Sequence, residues 1–179
     1  NLFNMKSKFL LSALCSLIAL SVMASAQNLS ELVAQLNSDQ MNQRTEARSG
    51  IQQLLTDSTA PTADANARSA LEEEALQILQ SGPSHPAQVW LLRMLELTGS
   101  EVSVPVIASY LYSSDGQLRD CARRALVANT APQATAVLYQ AMLRSSDKEK
   151  RAYIDGFVFR GDGRAAKAIV PLLKSDDAA

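Results

Sequence analysis

The sequence predicts an all-α fold built from repeated helix pairs. The phrase LYSSD at 111–115 returns as LRSSD at 143–147, and such recurrence is typical of repeat proteins. Apolar residues recur at helical spacing along much of the chain, which indicates amphipathic helices. The chain is rich in alanine and leucine, whereas aromatic residues make up only 5% of it, so helix formers dominate over the residue types that favour strands.

The recurring phrase sets the period of the repeat. Looser copies of it are LNSD at 36–39, LQSGPS at 79–84 and LKSD at 173–176. From the second copy onward, successive copies are 32, 32 and 30 residues apart, whereas the first two are 43 residues apart. We therefore expect an insertion in the first unit. The polar stretch 56–67 would form it, as a loop or as a lengthened helix start.

Four segments match the one-face helical template i, i+3, i+4, i+7, i+8 in full. The matching stripes begin at Ala87, Val104, Leu118 and Ala134. Each predicted helix has roughly 10 to 14 residues and is too short to be stable alone in water, so each must bury its stripe against neighbours. The predicted helix pairs are about 28–55, 64–98, 102–128 and 133–160, followed by a half repeat at 164–176.

The phrase itself is predicted to be the joint between two helices. Leu111 and Leu143 would be the last core residues of one helix, and the two serines would form the turn. Asp115 and Asp147 stand where the next helix begins. There a carboxylate can accept hydrogen bonds from unpaired N–H groups and interacts favourably with the helix dipole.

An arginine follows each of these aspartates. It comes four residues later in the two full copies, as Arg119 and Arg151, and five residues later in the first unit, where Asp39 leads to Arg44. The spacing from arginine to the following alanine is also shared between the first and third units. We therefore predict that aspartate and arginine are structural repeat positions.

The stretches LYSSDGQLRDCARRAL (111–126) and FRGDGRAAKAIVPLLKSD (159–176) resemble the short, lyase-type class of HEAT repeats. In that class an aspartate opens the second helix, an arginine follows, and a Gly-Asp turn leads to the next repeat; Gly161 and Asp162 match this turn. The resemblance covers about 30–176. It implies a right-handed α-solenoid of antiparallel helix pairs, armadillo-like in shape, with about four repeats plus an unfinished one and with the second helices on the concave side.

The N-terminal segment predicts export. Residues 1–4 precede the first methionine and are interpreted as upstream read-through. A methionine, two lysines, an apolar run of 14 residues and a final Ala-Ser-Ala make up 5–26, which is the pattern of a secretory signal peptide. The alternative is a membrane anchor, but a span needs about 20 apolar residues. We expect a bacterial protein, periplasmic or extracellular, with 27–179 as one repeat domain and without stable membrane insertion after cleavage.

The densest basic group is the candidate binding surface. Arg119 and Arg123 share one helix face at i, i+4, Arg124 is adjacent, and Arg151 lies one repeat further on. Two interpretations stay open: the arginines pair with nearby aspartates in a structural ladder, or they line a concave groove that receives a carboxylate-rich peptide segment. The aspartates concerned are Asp115, Asp120 and Asp147.

Other features are interpreted as structural. His85 is the only histidine, so it cannot form a multi-histidine metal site, and it is predicted to lie in a surface turn. Cys121 and Trp90 fall on apolar stripes and are predicted core residues. The tripeptide at 160–162 spells a cell-adhesion motif, but the repeat turn needs the same residues. The acidic run 72–74 is predicted to be a solvated helix face, with a docking site for a basic partner as the alternative.

The sequence predicts a binding function and no enzymatic one. No glycine-rich phosphate loop, haem-attachment motif or serine-hydrolase elbow occurs, and we predict neither a cofactor nor a metal. The net charge of −1 argues against a nucleic-acid partner. We therefore predict a protein-binding or scaffold module whose partner is a protein or peptide.

Two alternatives to this prediction stay open. The unfinished last repeat leads us to expect the N-terminal part of a longer chain, so an accessory repeat domain of a larger exported enzyme is one alternative. A phycobilin-lyase-like protein is the other, because similar repeats occur in those lyases.

Overall fold

The computed structural model describes residues 28–161 and 163, and this part of the chain is all-helical, as predicted. It contains eight α-helices, a single 3-10 turn at Glu101–Ser103 and no strand. The helices are α1 (Leu29–Gln35), α2 (Met41–Thr59), α3 (Ala67–Gln80), α4 (His85–Thr98), α5 (Val104–Tyr110), α6 (Gly116–Ala128), α7 (Pro132–Arg144) and α8 (Asp147–Phe159). The segments 1–4 and 5–26, Asp162 and the half repeat at 164–176 lie outside the described residues.

Helices that are close in sequence are also packed together. Every helix packs against the next helix but one, most extensively α4 against α6, and most consecutive helices also pack directly on each other. Their buried apolar side chains form one continuous cluster that runs from Leu29 in α1 to Phe157 in α8. Each short helix therefore gains from tertiary packing the stability that it lacks alone. We call α1–α2, α3–α4, α5–α6 and α7–α8 the first to fourth helix pairs.

The helices α6 and α8 begin with different caps. Asp115 is the N-cap of α6, as predicted, and its carboxylate accepts the backbone N–H of Leu118 at 2.9 Å. In α8 the N-cap is Ser146, and Asp147 is the first helical residue, so the expectation that Asp147 caps this helix is wrong. The reason is local: Ser146 and Glu149 form a capping box, which satisfies two N–H groups reciprocally.

The two full copies of the phrase have different structures. Leu111 is buried and directly follows the end of α5, as predicted, whereas Leu143 is 55% exposed. The helix α7 continues through Arg144, and its last buried apolar residue is Met142. Met142 lies at one edge of the buried stripe of α7, so the next residue, about 100° further around the helix, points away from the core. The prediction that Leu143 is a core residue is therefore wrong.

The insertion lengthens the end of a helix. Within the stretch 56–67, α2 continues to Thr59 and α3 begins only at Ala67. The hydroxyls of Thr56 and Thr59 donate to backbone carbonyls four residues earlier, at 2.9 and 2.7 Å, so the polar side chains are satisfied within the helix. Of the two predicted alternatives, the loop is formed by residues 60–66, whereas the lengthened helix start is wrong, because the added turn belongs to the preceding helix.

Cys121, Trp90 and Gly161 occupy three different environments in the fold. Cys121 is a buried core residue, as predicted, and its thiol is free. Trp90, predicted as a core residue, is only partly buried, with one side packed against the core cluster. Gly161 follows the C-cap Arg160 with φ of +66°, the left-handed conformation that commonly ends a helix and that glycine adopts without strain.

Candidate functional site

A pocket of about 350 Å³ lies where the third helix pair meets the fourth. The ends of α5 and α7 and the first halves of α6 and α8 form its walls. The charged groups that line it are three guanidinium groups and two carboxylates: Arg119, Arg123, Arg144, Asp120 and Glu149. The pocket therefore carries a formal charge of about +1, although the whole chain is slightly acidic.

The pocket contains two of the four arginines that the sequence singled out. Arg119 and Arg123 line it, whereas Arg124 and Arg151 do not. Arg124 points toward α4, where its Nη2 lies 3.0 Å from a carboxylate oxygen of Glu96, and this hydrogen bond raises the pKa of Arg124. Arg151 is exposed on α8. The predicted four-residue surface is thus divided, and Arg124 joins the second pair to the third.

Arg119 closes the turn that precedes its own helix. Its Nη1 donates to the carbonyls of Ser113 and Ser114, at 2.8 and 3.0 Å. Arg44 makes the same two bonds in the first pair, at 2.6 and 3.0 Å, to the carbonyls six and five residues before it. The Asp39–Arg44 link therefore runs through the backbone carbonyl of Asp39. At this position of the repeat, the arginine stabilises the turn that precedes its helix.

Arg123 joins α6 to α8. Its Nη1 donates to the carbonyl of Ala152 at 3.1 Å, and its Nη2 lies 2.5 Å from a carboxylate oxygen of Asp120. The side chain is only 18% exposed, so this ion pair is held against the wall of the pocket. Arg119 also joins α6 to α8 through a longer contact, in which its Nη2 lies 3.7 Å from a carboxylate oxygen of Glu149. Both arginines hold the pocket together as well as charging it.

The predicted aspartate–arginine ladder is formed only in part. Asp120 forms an ion pair with Arg123. A carboxylate oxygen of Asp147, by contrast, lies 2.7 Å from Nζ of Lys150. Asp115 lies 3.1 Å from His85 Nε2. His85 is the first residue of α4, so this contact ties the start of the second pair's last helix to the turn of the third pair. The only signal for it in the sequence is the separation of 30 residues, close to one repeat period.

The pKa values of two groups that line the pocket, Glu149 and Tyr153, move away from neutral. Hydrogen bonds from the hydroxyl and backbone N–H of Ser146, with a smaller effect of the Arg119 charge, lower the pKa of Glu149 below 4.5. Burial raises the pKa of Tyr153 above 10.0. At neutral pH Glu149 is therefore ionised and Tyr153 is protonated. A general acid or base works best with a pKa near the working pH, so neither side chain is tuned for proton transfer.

Sequence reasoning missed the third guanidinium of the pocket. Arg144 is the last residue of α7, and its guanidinium carbon lies 6.0 Å from the centroid of the Tyr112 ring, a cation–π distance. Both side chains are exposed at the rim, and among the described residues no carboxylate forms an ion pair with Arg144. Tyr112 and Arg144 are the second residues of LYSSD and LRSSD, the one position at which the two copies differ. These two residues contact each other in the structure.

The acidic run 72–74 is not a solvated face throughout. Glu72 is only 5% exposed, and its carboxylate accepts hydrogen bonds from Ser100. Glu74 accepts the backbone N–H of Ser30 in α1 at 3.2 Å, and Glu73 is exposed. The prediction of a solvated face is therefore wrong for Glu72, because two of the three carboxylates bind to the neighbouring helix pairs.

The arginine of the adhesion-like tripeptide is used inside the fold. The Nη1 of Arg160 donates to the carbonyls of Leu126 and Val127, both at 2.9 Å, and its Nη2 donates to the hydroxyl of Thr135 at 2.8 Å. This guanidinium binds the end of α6 and the start of α7. For Arg160, these contacts support the interpretation that the tripeptide has a structural role.

Within the described residues, no group of three or more histidine, cysteine, aspartate or glutamate side chains is arranged to hold a metal ion. None of the described helices combines the length and the apolar character that a membrane span requires. Comparison of the chain with models of known families, with curated proteins and with solved structures found no significant match in any of the three.

Proposed function

We propose that this protein is an exported, non-enzymatic binding module of the HEAT-like type. Its helix pairs stack as a right-handed α-solenoid, and the pocket between the third and fourth pairs receives an acidic segment of a partner protein. The observation that carries this proposal is the convergence of three guanidinium groups on one pocket of about 350 Å³. They belong to Arg119, Arg123 and Arg144.

The packing of the helices supports the solenoid. In a solenoid each repeat contacts only its neighbours in the chain. The extensive helix contacts of the described residues join helices that are adjacent or next but one, and a single core cluster runs through all four pairs. The hydrogen bonds of Glu72 and Glu74 follow the same rule, since they reach the third and the first pair from the second.

The charge balance of the pocket supports an acidic partner. Both carboxylates already have cationic or hydrogen-bonding partners: Asp120 has Arg123, and Glu149 has Ser146 and Arg119. The remaining charge is positive, and complementary charge favours encounter and suppresses wrong partners. Guanidinium groups bind carboxylates through paired hydrogen bonds, so a peptide rich in aspartate and glutamate is the best fit.

The pKa directions support a binding role over acid–base catalysis. The lowered pKa of Glu149 and the raised pKa of Tyr153 remove both groups from the range in which they would exchange protons at neutral pH. The positive charge of the pocket comes from its three guanidinium groups, which are suited to holding an acidic ligand by electrostatic complementarity.

The proposal is tested with a fluorescent peptide of about ten glutamates and a matched lysine peptide, at about 50 mM and about 500 mM NaCl. We expect fluorescence anisotropy to show that the glutamate peptide binds, that salt weakens the binding, and that the lysine peptide does not bind. Tyr112→Asp places a negative charge on the exposed rim and should weaken binding several-fold.

Met41→Asp is the matched control, because Met41 is also exposed, at 75%, but lies in the first pair. It should bind the glutamate peptide like the wild type. Absence of binding by the wild type would overturn the proposal, as would equal binding by the two aspartate variants.

A further inference from the structure

We propose that Arg144, placed over the ring of Tyr112, is the residue of this pocket that recognises a single peptide carboxylate beside an apolar side chain. This inference rests on the proposed binding function and names the ligand group for it. It assigns different roles to the three arginines: Arg119 and Arg123 are positioning residues, and Arg144 binds the ligand.

The hydrogen bonds of the other two arginines support this division. Arg119 uses Nη1 to close the turn at Ser113 and Ser114, and Arg123 uses both terminal nitrogens, on Ala152 and Asp120. Moving either guanidinium toward a ligand would break contacts that hold the turn or join two helices. Arg144 makes no such bond to the described backbone and can turn its donors toward a ligand without that cost.

The Tyr112 ring prepares Arg144 for this role. An aromatic face attracts a guanidinium and restricts the plane of its fork, so less side-chain entropy is lost when a carboxylate binds. The two side chains come from different helix pairs, because Tyr112 follows α5 and Arg144 ends α7. The recognition group therefore exists only when the third and fourth pairs are packed together.

The apolar residues of the pocket indicate which kind of peptide side chain lies next to the bound carboxylate. Leu111, Ala141 and Ala152 line it, and the two alanines leave room that a larger side chain would fill. A volume of about 350 Å³ lies at the lower end of the range for ligand sites, which suits one or two amino-acid side chains. An aliphatic side chain of the peptide can occupy this space while its neighbouring carboxylate reaches Arg144 at the rim.

The test uses three acetylated pentapeptides that share the sequence glycine-serine-glycine-leucine before the last residue. The first ends in glutamate amide and has only a side-chain carboxylate, the second ends in glutamine with a free C-terminus, and the third ends in glutamine amide and has no carboxylate. Their dissociation constants for the purified protein are measured by NMR titration. We expect one or both charged peptides to bind, which identifies the source of the carboxylate, and the neutral peptide not to bind.

Arg144→Gln should raise the dissociation constant of the charged peptides by roughly threefold to tenfold, the range expected when a charge-assisted hydrogen bond is lost at a partly exposed site. Arg48→Gln is the matched control, since Arg48 is exposed on α2 in the first pair, and it should bind like the wild type. The inference is overturned if the neutral peptide binds as tightly as the charged ones, or if Arg144→Gln leaves their binding unchanged.

The two proposals fail in different ways. If the glutamate peptide of the preceding experiment binds but Arg144→Gln has no effect on the pentapeptides, the role of Arg144 is wrong and the binding function stands. If no acidic probe binds the wild type, both proposals are wrong. Helical circular dichroism and the unfolding midpoint of each variant show that the change lies in binding, since Arg144 is exposed and its loss should leave the fold intact.

Discussion

The carboxylate of Glu72 in α3 accepts hydrogen bonds from both the backbone N–H and the hydroxyl of Ser100, at 2.6 and 3.0 Å. Ser100 is the N-cap of the 3-10 turn that leads into α5, 28 residues further along the chain. Glu72 is nearly inaccessible to solvent although it stands in a run of three glutamates. A buried carboxylate therefore fixes the first helix of the second pair to the start of the third pair.

Similar hydrogen bonds connect the third helix pair to the fourth. The carbonyl of Ser100 accepts a hydrogen bond from the side chain of Asn129 at 2.6 Å, and the carbonyl of Asn129 accepts one from Arg160. These residues are 28, 29 and 31 positions apart, close to the period of the recurring phrase. The repeat in the sequence thus reappears as hydrogen bonds between successive helix pairs.

The first prediction is that Glu72→Ala destabilises the protein. It removes the acceptor of two hydrogen bonds that join the second and third pairs; because Ser100 is exposed, water replaces part of this interaction, and the expected loss is about 0.5–1.5 kcal/mol of unfolding free energy. Glu72→Gln keeps one acceptor oxygen and should lose less. Urea unfolding measures the difference, with Glu73→Ala as the control because Glu73 is exposed on the same helix. Equal losses at the two positions would contradict the structural role of Glu72.

The second prediction concerns the close approach of α6 and α8. A methyl group on Gly156 would lie 2.6 Å from Cγ2 of Val127, inside van der Waals contact, and valine has little rotamer freedom with which to move. Gly156→Ala should therefore cost about 1–3 kcal/mol of unfolding free energy. The double variant with Val127→Ala should recover part of this loss, because it removes the clashing methyl group. Additive losses in the double-mutant cycle would show that the two residues do not interact.

The class of the fold could be predicted because its signal is local. The stripe that begins at Leu118 repeats at helical spacing, and the structure buries all five of its residues. The helix cap at Asp115 was predictable for the same reason, since a cap depends on a few neighbouring residues. The cap of α8 is equally local, because Ser146 and Glu149 form the Ser-x-x-Glu pattern of a capping box; aligning the two copies of the phrase on their aspartates hid this pattern.

The site was predicted only in part because periodicity says which residues face the core, and does not say which polar residues meet across a boundary. Arg119 and Arg123 were found as a basic group, and both line the pocket. Arg144 falls on a polar helix face with many exposed residues, and its contact with Tyr112 depends on how two pairs pack. Long-range contacts such as Glu72 with Ser100 have no local pattern at all.

The third prediction follows from the lowered pKa of Asp115. The backbone N–H of Leu118, with smaller contributions from His85 and a second N–H, lowers this pKa below 3.8 in the folded state. A carboxyl group that binds its proton less tightly when folded adds stability above its unfolded pKa and loses it as the pH falls through the folded pKa. The unfolding free energy of the wild type should therefore fall more steeply between about pH 5 and about pH 2 than that of Asp115→Asn.

The control for this pH dependence is Asp155→Asn, which removes an exposed carboxylate from α8. It should keep the pH slope of the wild type, as measured by urea unfolding at each pH. Parallel curves for the wild type and Asp115→Asn would show that the cap and the His85 contact do not couple folding to this titration.

The last prediction is that lysine cannot replace Arg160. Its guanidinium donates through one nitrogen to the carbonyls at the end of α6 and through the other to Thr135 in α7, which requires a planar group with several fixed donors. An ammonium group keeps the charge but reaches fewer of these acceptors, so Arg160→Lys should lower the unfolding free energy by about 1–3 kcal/mol. Arg48→Lys, the same exchange at an exposed residue of α2, should change it by less than about 0.5 kcal/mol. If urea unfolding shows equal stability for the two lysine variants, the charge alone is sufficient and the hydrogen-bonding geometry of Arg160 does not hold the third and fourth pairs together.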